Sequence, residues 1–392
     1  MLILLITCGI ATGTTTKHNG LTVAELLDSA LSQNQQVLSA DAQSQRYNTR
    51  IALIDKLTEP LTAFYYLDFP VSNISQGVSE RINQAQAGPA KKVQVRSVRG
   101  KILTGKDMIE NQALWYDYRA ADLRLQIARQ VRENFYRLYF LDQIITVTRQ
   151  SNDTLQNLLQ AADTQYAVGK IRQKDVLSLQ EQRYQLQARL LEQQEQRVTL
   201  ATRLNYLAGR SISAELIPYI EGGLEYEDLV EPKYNEFNLI SGLFNNRPLM
   251  KGYQALGGRF RAMRSMVKMY FNRDVQDEAY YEADGGLRAV KAEGADFYNQ
   301  VSADIQIATS NLKTNRELAR LYGRVLVPKA RQLFQTSLAD FKVGRSDYKE
   351  PLESLLNLYR YQEKYYQTLT DYQVDLARLE SLSGVAINED GY

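Results

Sequence analysis

The chain has 392 residues, with 47 Lys and Arg against 45 Asp and Glu, and its net charge of +2 does not favour nucleic acid as a partner. It contains one cysteine, Cys8, and one histidine, His18. These counts exclude a disulfide framework, a Cys/His zinc site and a histidine-dependent catalytic triad. We therefore expect no enzyme, no catalytic residues, no metal site and no cofactor.

The N-terminus predicts an export signal over residues 1–16. A short apolar run over 1–11 is followed by small polar residues, as in the core and cleavage zone of such signals. No Lys or Arg precedes the run, which favours a truncated start. Cys8 is a candidate for lipidation, since the residues before it loosely resemble an acylation box. From Lys17 onward, no apolar stretch approaches the 18 or so residues of a membrane-spanning helix.

Two strand pairs are predicted, over about 60–104 and about 274–307. Every second residue over Leu61–Phe69 belongs to a wholly apolar face, and apolar and polar residues alternate over Val301–Ile307, which is typical of half-buried strands. Their partners, around Val93–Ile102 and Val275–Glu282, alternate poorly and carry charges. Four strands are too few to close a barrel within one chain.

Long helices follow each strand pair. Residues 106–167 and 171–208 carry helical periodicity, and in the first of these the apolar residues form one narrow face, as in a coiled-coil seam. The spacing is three or four residues within the run Val131, Phe135, Leu138, and again within the run Leu155, Leu158, Ala162. These segments predict long packed helices with one solvated side.

The chain is an internal duplication. Residues of the segment 168–209 recur 175 positions later, including Val168-Gly169 as Val343-Gly344. The front of the unit recurs at an offset of 212, with Asn34 aligned to Asn246. We assign the first structural repeat to 21–215 and the second to 234–385.

Helix lengths predict a difference between the two repeats. At 1.5 Å per residue, the long helix ending at Ala167 spans roughly 93 Å, whereas its counterpart over Ser310–Val343 spans only roughly 51 Å. About 28 residues are therefore expected to be missing near Leu321–Leu326. This number equals four heptads, so such a deletion would preserve the seam.

The ordered set of motifs resembles the TolC-type outer membrane efflux proteins, especially the branch that works with heavy-metal and drug pumps. The motifs are Leu21–Leu27 with Asn34, Tyr166–Gly169 followed by Asp175–Leu177, and Arg203–Gly209 repeated at Arg378–Gly384. The resemblance implies a mainly α fold with a small β part. Duplicated long-helix hairpins would form a trimeric α-barrel, and four strands per subunit would contribute to a twelve-stranded outer membrane β-barrel.

The same resemblance implies functional residues at the two turns between long helices. An adaptor-docking tip would comprise Tyr166, Val168, Gly169, Lys170, Val343, Gly344 and Arg345. Carboxylates would ring a channel constriction at Asp340, Asp347 and Glu350. The simpler interpretations are an ordinary hairpin turn for the glycines and a solvated face for the carboxylates. Trp115, Tyr116 and Tyr118 fit either a membrane interface or plain packing.

The leading hypothesis is a passive outer membrane channel with a large periplasmic portion, belonging to a tripartite efflux or secretion system. Its implied partners are two further copies of the chain, a periplasmic adaptor, an inner-membrane transporter of the RND type and outer membrane lipid. The alternative is a periplasmic coiled-coil scaffold that does not insert, or a degenerate efflux-protein homologue. The charged strand partners and the shortened helix motivate that alternative.

Overall fold

The computed structural model describes residues 20–56, 91–229, 235–270 and 273–387, and this part of the chain is almost entirely helical. The predicted signal over 1–16, Cys8 and the strand over Leu61–Phe69 lie outside the described residues. The first half contains the helices α1 (Val23–Gln33), α2 (Gln35–Lys56), α3 (Lys91–Ala167) and α4 (Gln173–Leu207). The second half contains α5 (Glu236–Ser241), α6 (Leu243–Asn246), α7 (Pro248–Tyr270), α8 (Arg273–Leu321), α9 (Val327–Lys342) and α10 (Lys349–Ser383).

Two long helical runs organise the fold. The 77 residues of α3 correspond to about 116 Å. The run from Arg273 to Lys342 comprises α8, a π-helical turn over Tyr322–Leu326 and α9, and it corresponds to about 105 Å. Two shorter helices stack end to end along each run: α2 and α4 pack against α3, and α7 and α10 pack against α8 and α9. Both halves of the chain therefore use the same arrangement.

Burial of the predicted seam accounts for the packing of α3. Val131, Phe135, Leu138 and Leu155 are fully buried, and they lie at the helical spacing expected from the sequence. The middle of α3 packs in one cluster with α1 and the end of α4. Nearer the end of α3, Leu158 and Ala162 pack in a second cluster with residues of α4, α9 and α10. One helix thus joins the cores of both halves.

The strand pair predicted over 274–307 is wrong, because α8 covers this range as helix. Val301, Ile305, Ala308 and Leu312 are buried, at steps of four, three and four residues, whereas Ile307 of the predicted strand face is 51% exposed. Helical spacing therefore explains the burial, and the short alternation is coincidental. The strand around Val93–Ile102 is also wrong, since α3 begins at Lys91. The prediction of four strands per subunit fails at these segments.

The predicted loss of about 28 residues near Leu321–Leu326 is likewise wrong. The helix continues through this segment as a π-helical turn, just before Pro328, which has no backbone N–H to donate to the preceding turn. The front of the repeat recurs at an offset of 212 and its rear at an offset of 175, so the second repeat must still be 37 residues shorter than the first. Most of this difference lies elsewhere: 34 residues separate α2 from α3, whereas only two separate α7 from α8.

Described strand structure is limited to one isolated bridge, between Leu21 and Pro218. The backbone amide of Leu21 donates to Ile217 and that of Tyr219 donates to Leu21, at 2.8 and 2.9 Å. This bridge joins the start of the first half to the segment that connects the halves. Among the helices that the structure describes, none combines the length and apolarity needed to cross a membrane.

Glycines end the two helices α4 and α10 where another helix approaches closely. Gly384 has φ of 74°, and a Cβ atom there would lie 2.5 Å from the carbonyl oxygen of Asn246. Gly209 has φ of 66°, and its Cβ would lie 2.8 Å from that of Gln33. The left-handed conformation and the close approach both require glycine at these helix ends.

Substituting Gly384→Ala is therefore expected to lower the free energy of unfolding by more than the 1–2 kcal/mol or so that left-handed backbone costs an L-residue. The matched variant Gly169→Ala has a similar φ of 76° but no atom within 4 Å of its Cβ, so it should show the backbone cost alone. Urea unfolding midpoints of the two variants measure the difference. Equal midpoints would mean that the contact with Asn246 relaxes without cost.

Candidate functional site at the helical tip

The two turns between long helices lie at the same end of the molecule. One turn joins α3 to α4 and the other joins α9 to α10. Their hairpins pack side by side, and a shared cluster includes Ala162, Val176, Phe341 and Tyr348, all of them buried. The structure thus brings together the two groups of tip residues that the sequence separates by 175 positions.

Both turns have the same hydrogen-bond pattern. In the first, the Gly169 amide donates to the Tyr166 carbonyl and the Lys170 amide donates to the Gln165 carbonyl, each at 2.9 Å. In the second, the amides of Gly344 and Arg345 donate to Phe341 and Asp340, at 3.0 and 2.8 Å. This is the Schellman arrangement, with glycine at the left-handed position. The predicted helix-hairpin turns are present at both places.

The turns present apolar side chains to solvent. Val168 and Val343 occupy equivalent positions just before the glycines, and each is 66% exposed. Tyr166 is also exposed, as are the cationic residues Lys170 and Arg345. The result is a small surface at the helix ends, with apolar centres and positive charges.

The carboxylates predicted to form a constriction lie around the second turn. Asp340 is half-buried, whereas Asp347 and Glu350 are exposed. Cations occupy the same segment, at Lys342, Arg345 and Lys349. One chain therefore places the three carboxylates within a short distance along the backbone, and a ring would require further copies.

Among the described residues, no group of His, Cys, Asp and Glu could hold a metal ion.

Sequence reasoning missed a polar link between the two hairpins. The Tyr348 hydroxyl donates to Oδ1 of Asp175 at 3.1 Å, and Oδ2 of Asp175 accepts the backbone amide of Arg172 at 3.0 Å. The hydrogen bond from the Arg172 amide is the largest cause that lowers the pKa of Asp175, and the bond from the Tyr348 hydroxyl lowers it further. Burial and the bond to Asp175 raise the pKa of Tyr348. The position of Asp175 three residues after Arg172 is the capping signal that could have revealed half of this link.

The variant Tyr348→Phe is expected to increase amide exchange across the tip several-fold, because the hydroxyl joins one hairpin to the helix start of the other. Lowering the pH should have a similar effect. Because the pKa of Asp175 is lower in the folded protein than in the unfolded chain, its carboxylate stabilises the fold at any pH above the unfolded pKa, near 3.8. This stabilisation is lost as the pH falls through the lower pKa of the folded state. Exchange of residues 165–176, corrected for intrinsic rates at pH 6 and pH 3, measures both effects.

The exposed Tyr166 offers a matched control on the same tip. Tyr166→Phe should leave the exchange of this segment unchanged at either pH. If Tyr348→Phe behaves like Tyr166→Phe, the link to Asp175 does not hold the hairpins together.

A second feature that sequence reasoning missed is an apolar stripe on α4. Leu177, Tyr184, Leu191 and Val198 recur every seven residues, and they are 55–67% exposed. The buried residues of α4, such as Leu179 and Leu186, point to the other side of the helix, towards α3. The sequence shows that these residues recur every seven positions, but it does not show that their side chains are exposed.

The opposite edge of the helical layer carries a second stripe. In the tip-proximal half the helices lie in the order α4, α3, α10, α9, so α4 and α9 form the two edges. Exposed apolar residues along α8 and α9 include Ile307, Leu318, Leu321 and Leu333. The molecule therefore has two exposed apolar edges that face away from each other.

Comparison with known structures identifies the fold. The chain resembles a membrane protein from Pseudomonas aeruginosa, with a TM-score of 0.72, 12% identity and coverage of 92% of both chains. It also resembles the outer membrane protein VceC from Vibrio cholerae, with a TM-score of 0.70, 12% identity and coverage of 93% and 96%. The Campylobacter jejuni outer membrane channel CmeC is similar with a TM-score of 0.72 and 9% identity, over 94% of this chain and 87% of that chain. No protein-family model and no curated protein matches the chain.

These similarities confirm the expected resemblance to TolC-type channels at the level of the fold. The long-helix hairpins of the predicted α-barrel are present in the described residues, whereas the β part of the prediction is not seen there. Identities of 9–12% establish the fold alone.

Proposed function

We propose that this protein is the outer membrane channel of a tripartite efflux or secretion system, acting as a homotrimer with a large periplasmic portion. It conducts substrate passively, and it receives that substrate from an inner-membrane transporter, of the RND type, through a periplasmic adaptor. The channel fold supports this function, because the solved structures that share it include outer membrane channels.

The observation that carries the proposal is the pair of exposed apolar edges. If either edge paired with itself through a twofold axis, the other edge of each copy would stay uncovered. The two edges can pair head to tail, so that α4 of one copy packs on α8 and α9 of the next. Such heterologous contacts generate a ring when the rotation closes, and a curved layer of helices closed in this way encloses a tube. The proposed trimer is one such ring.

The tip supplies the docking surface for the adaptor in this proposal. Val168 and Val343 offer exposed apolar contacts at equivalent positions, and Lys170 and Arg345 flank them. Tyr166 and the two glycine turns complete the surface. In the trimer, six turns would alternate around the end of the tube and match a ring of helical hairpins. Asp340, Asp347 and Glu350 would narrow the same end and favour cations there.

The second candidate function is a periplasmic coiled-coil scaffold that does not insert into the membrane. The helical structure of 273–321 favours it, since the second strand pair expected for an inserted channel is replaced by helix. The helical edges and the tip would serve the same contacts in such a scaffold.

Fractionation of cells that express the full chain separates the two candidates. For the channel, we expect the protein to float with outer membranes, to resist carbonate and urea extraction, and to have the mass of a trimer in detergent. Conductance steps in a planar bilayer should accompany insertion of the purified trimer. A soluble trimer without conductance would establish the scaffold instead, and a persistent monomer would contradict both.

A further inference from the structure

A cavity of about 820 Å³ lies between α2, α3 and α7, away from the helical tip. Its volume is in the range of sites that hold small organic molecules. Aromatic, amide and charged side chains from the three helices line it. None of the residues assigned to the tip or to the constriction contributes to this cavity.

Aromatic rings form one wall of the cavity. The rings of Trp115 and Tyr253 are 5.6 Å apart at 54°, and Tyr116 is stacked on Tyr47 at 4.4 Å. Gly252 allows α7 to approach the indole, because a Cβ atom there would lie 3.0 Å from the Trp115 ring. The indole is therefore held in place by its neighbours while it remains partly exposed to the cavity. Such a surface favours flat apolar molecules.

The charges of the wall do not cancel. Asp122 is 2% exposed, its Oδ1 lies 2.7 Å from Nε of Arg247, and its Oδ2 accepts from Gln126 at 2.7 Å. Its negative charge is therefore compensated within the protein. Arg119 also lines the cavity and is exposed, and within the described parts of the chain no carboxylate forms an ion pair with it. The uncompensated charge in the cavity wall is therefore the positive charge of Arg119, which can interact with a ligand.

We propose that this cavity binds planar aromatic carboxylates. The ring of the ligand packs against Trp115 and Tyr253, and its carboxylate faces the guanidinium of Arg119, which presents several N–H donors to an anion. Gln35 adds an amide group that can donate to the same oxygens. This site goes beyond the proposed function and does not depend on conduction or on an adaptor.

The chain contains a single tryptophan, so the fluorescence of Trp115 reports on this cavity alone. Three probes share one quenching nitrophenyl ring and differ in charge: 4-nitrobenzoate, 4-nitrobenzyl alcohol and protonated 4-nitrobenzylamine. The fluorescence lifetime of the purified full chain is measured as each is added at pH 7. We expect saturable quenching by 4-nitrobenzoate with a midpoint of about 1 mM, in keeping with a ligand of this size.

The neutral alcohol should bind roughly threefold more weakly, because an exposed ion pair contributes less than about 1 kcal/mol, and the ammonium probe more weakly still. Arg119→Gln should remove the preference for 4-nitrobenzoate over the alcohol. Arg124→Gln is the matched control, since Arg124 is exposed on the same helix, pairs with Asp41 and does not line the cavity. Tyr253→Leu should weaken all three probes.

Quenching that rises linearly with the same slope for all three probes would overturn the proposal, because it would show collision without binding. It would also be overturned by saturable binding whose charge preference is the same in Arg119→Gln and Arg124→Gln. Helix content by circular dichroism shows that each variant is folded. Since trimer mass and membrane fractionation test the channel separately, failure of the cavity leaves that result untouched.

Discussion

Replacing Arg247 with methionine is expected to lower the free energy of unfolding by about 3–5 kcal/mol, the usual cost of removing one partner from a buried ion pair. The side chains of Arg247 and Asp122 are only 5% and 2% exposed, and the guanidinium contacts both carboxylate oxygens, at 2.7 and 3.2 Å. Methionine fills a similar volume but leaves the Asp122 carboxylate in the core without its cation.

The position of Arg247 in the chain explains why it points inwards. It lies between α6 and α7, directly before Pro248, and its extended backbone is the conformation that a following proline favours. This fixed geometry directs the side chain towards α3. Burial lowers the pKa of Arg247, and Asp122 acts in the opposite direction by favouring the charged guanidinium.

Two control variants separate the ion pair from the loss of a large side chain. Arg124→Met removes the exposed pair between Arg124 of α3 and Asp41 of α2, and it should cost less than about 1 kcal/mol. The double variant Asp122→Leu with Arg247→Met should recover most of the stability, since no buried charge remains. Denaturant midpoints measure all three. If the double variant is as unstable as Arg247→Met, packing and not charge explains the loss.

Replacing Leu191 with glutamate is expected to weaken assembly of the proposed trimer at least about 100-fold while the protomer stays folded. Leu191 is 67% exposed in the single chain, so the substitution costs the protomer little. In the proposed ring the same side chain is buried against the next copy, where an unpaired carboxylate is costly. A 100-fold loss corresponds to about 2.7 kcal/mol.

Light scattering of wild-type and variant protein in detergent measures this effect as a change from trimer to monomer, and circular dichroism reports the helix content. Gln196→Glu is the matched control, because it introduces the same group at an exposed position of α4 away from the stripe that includes Leu191. A trimeric Leu191→Glu variant would show that the α4 edge is not an interface.

Much of the helical architecture could be predicted from the sequence, because it depends on local spacing. The ends of α3 and α4, near Ala167 and Leu207, lie within about a residue of the predicted boundaries. The buried positions Val131, Phe135 and Leu138 follow directly from steps of three and four residues. The turn glycines Gly169 and Gly344 were recognisable from their place between two helical segments and from the offset of 175.

The errors arose where a local pattern fitted two structures. Over Val301–Ile307, alternation every second residue and burial every third or fourth residue both place Val301 and Ile305 on one face, and only the packing of α8 shows that the helix is adopted. The apparent missing residues near Leu321 followed from that error. A continuous helix with a π-helical turn resolves the length without a deletion.

The sequence by itself determined the internal duplication, the long helices and the hairpin turns, since each depends on residues close together in the chain or on a fixed offset. Only the tertiary structure decided which of these surfaces meet. The Tyr348–Asp175 link and the buried Asp122–Arg247 pair each join residues more than 100 positions apart. The stripe that includes Leu191 became recognisable as an unpaired edge once the order of the helices was known, because burial depends on neighbours that no local pattern specifies.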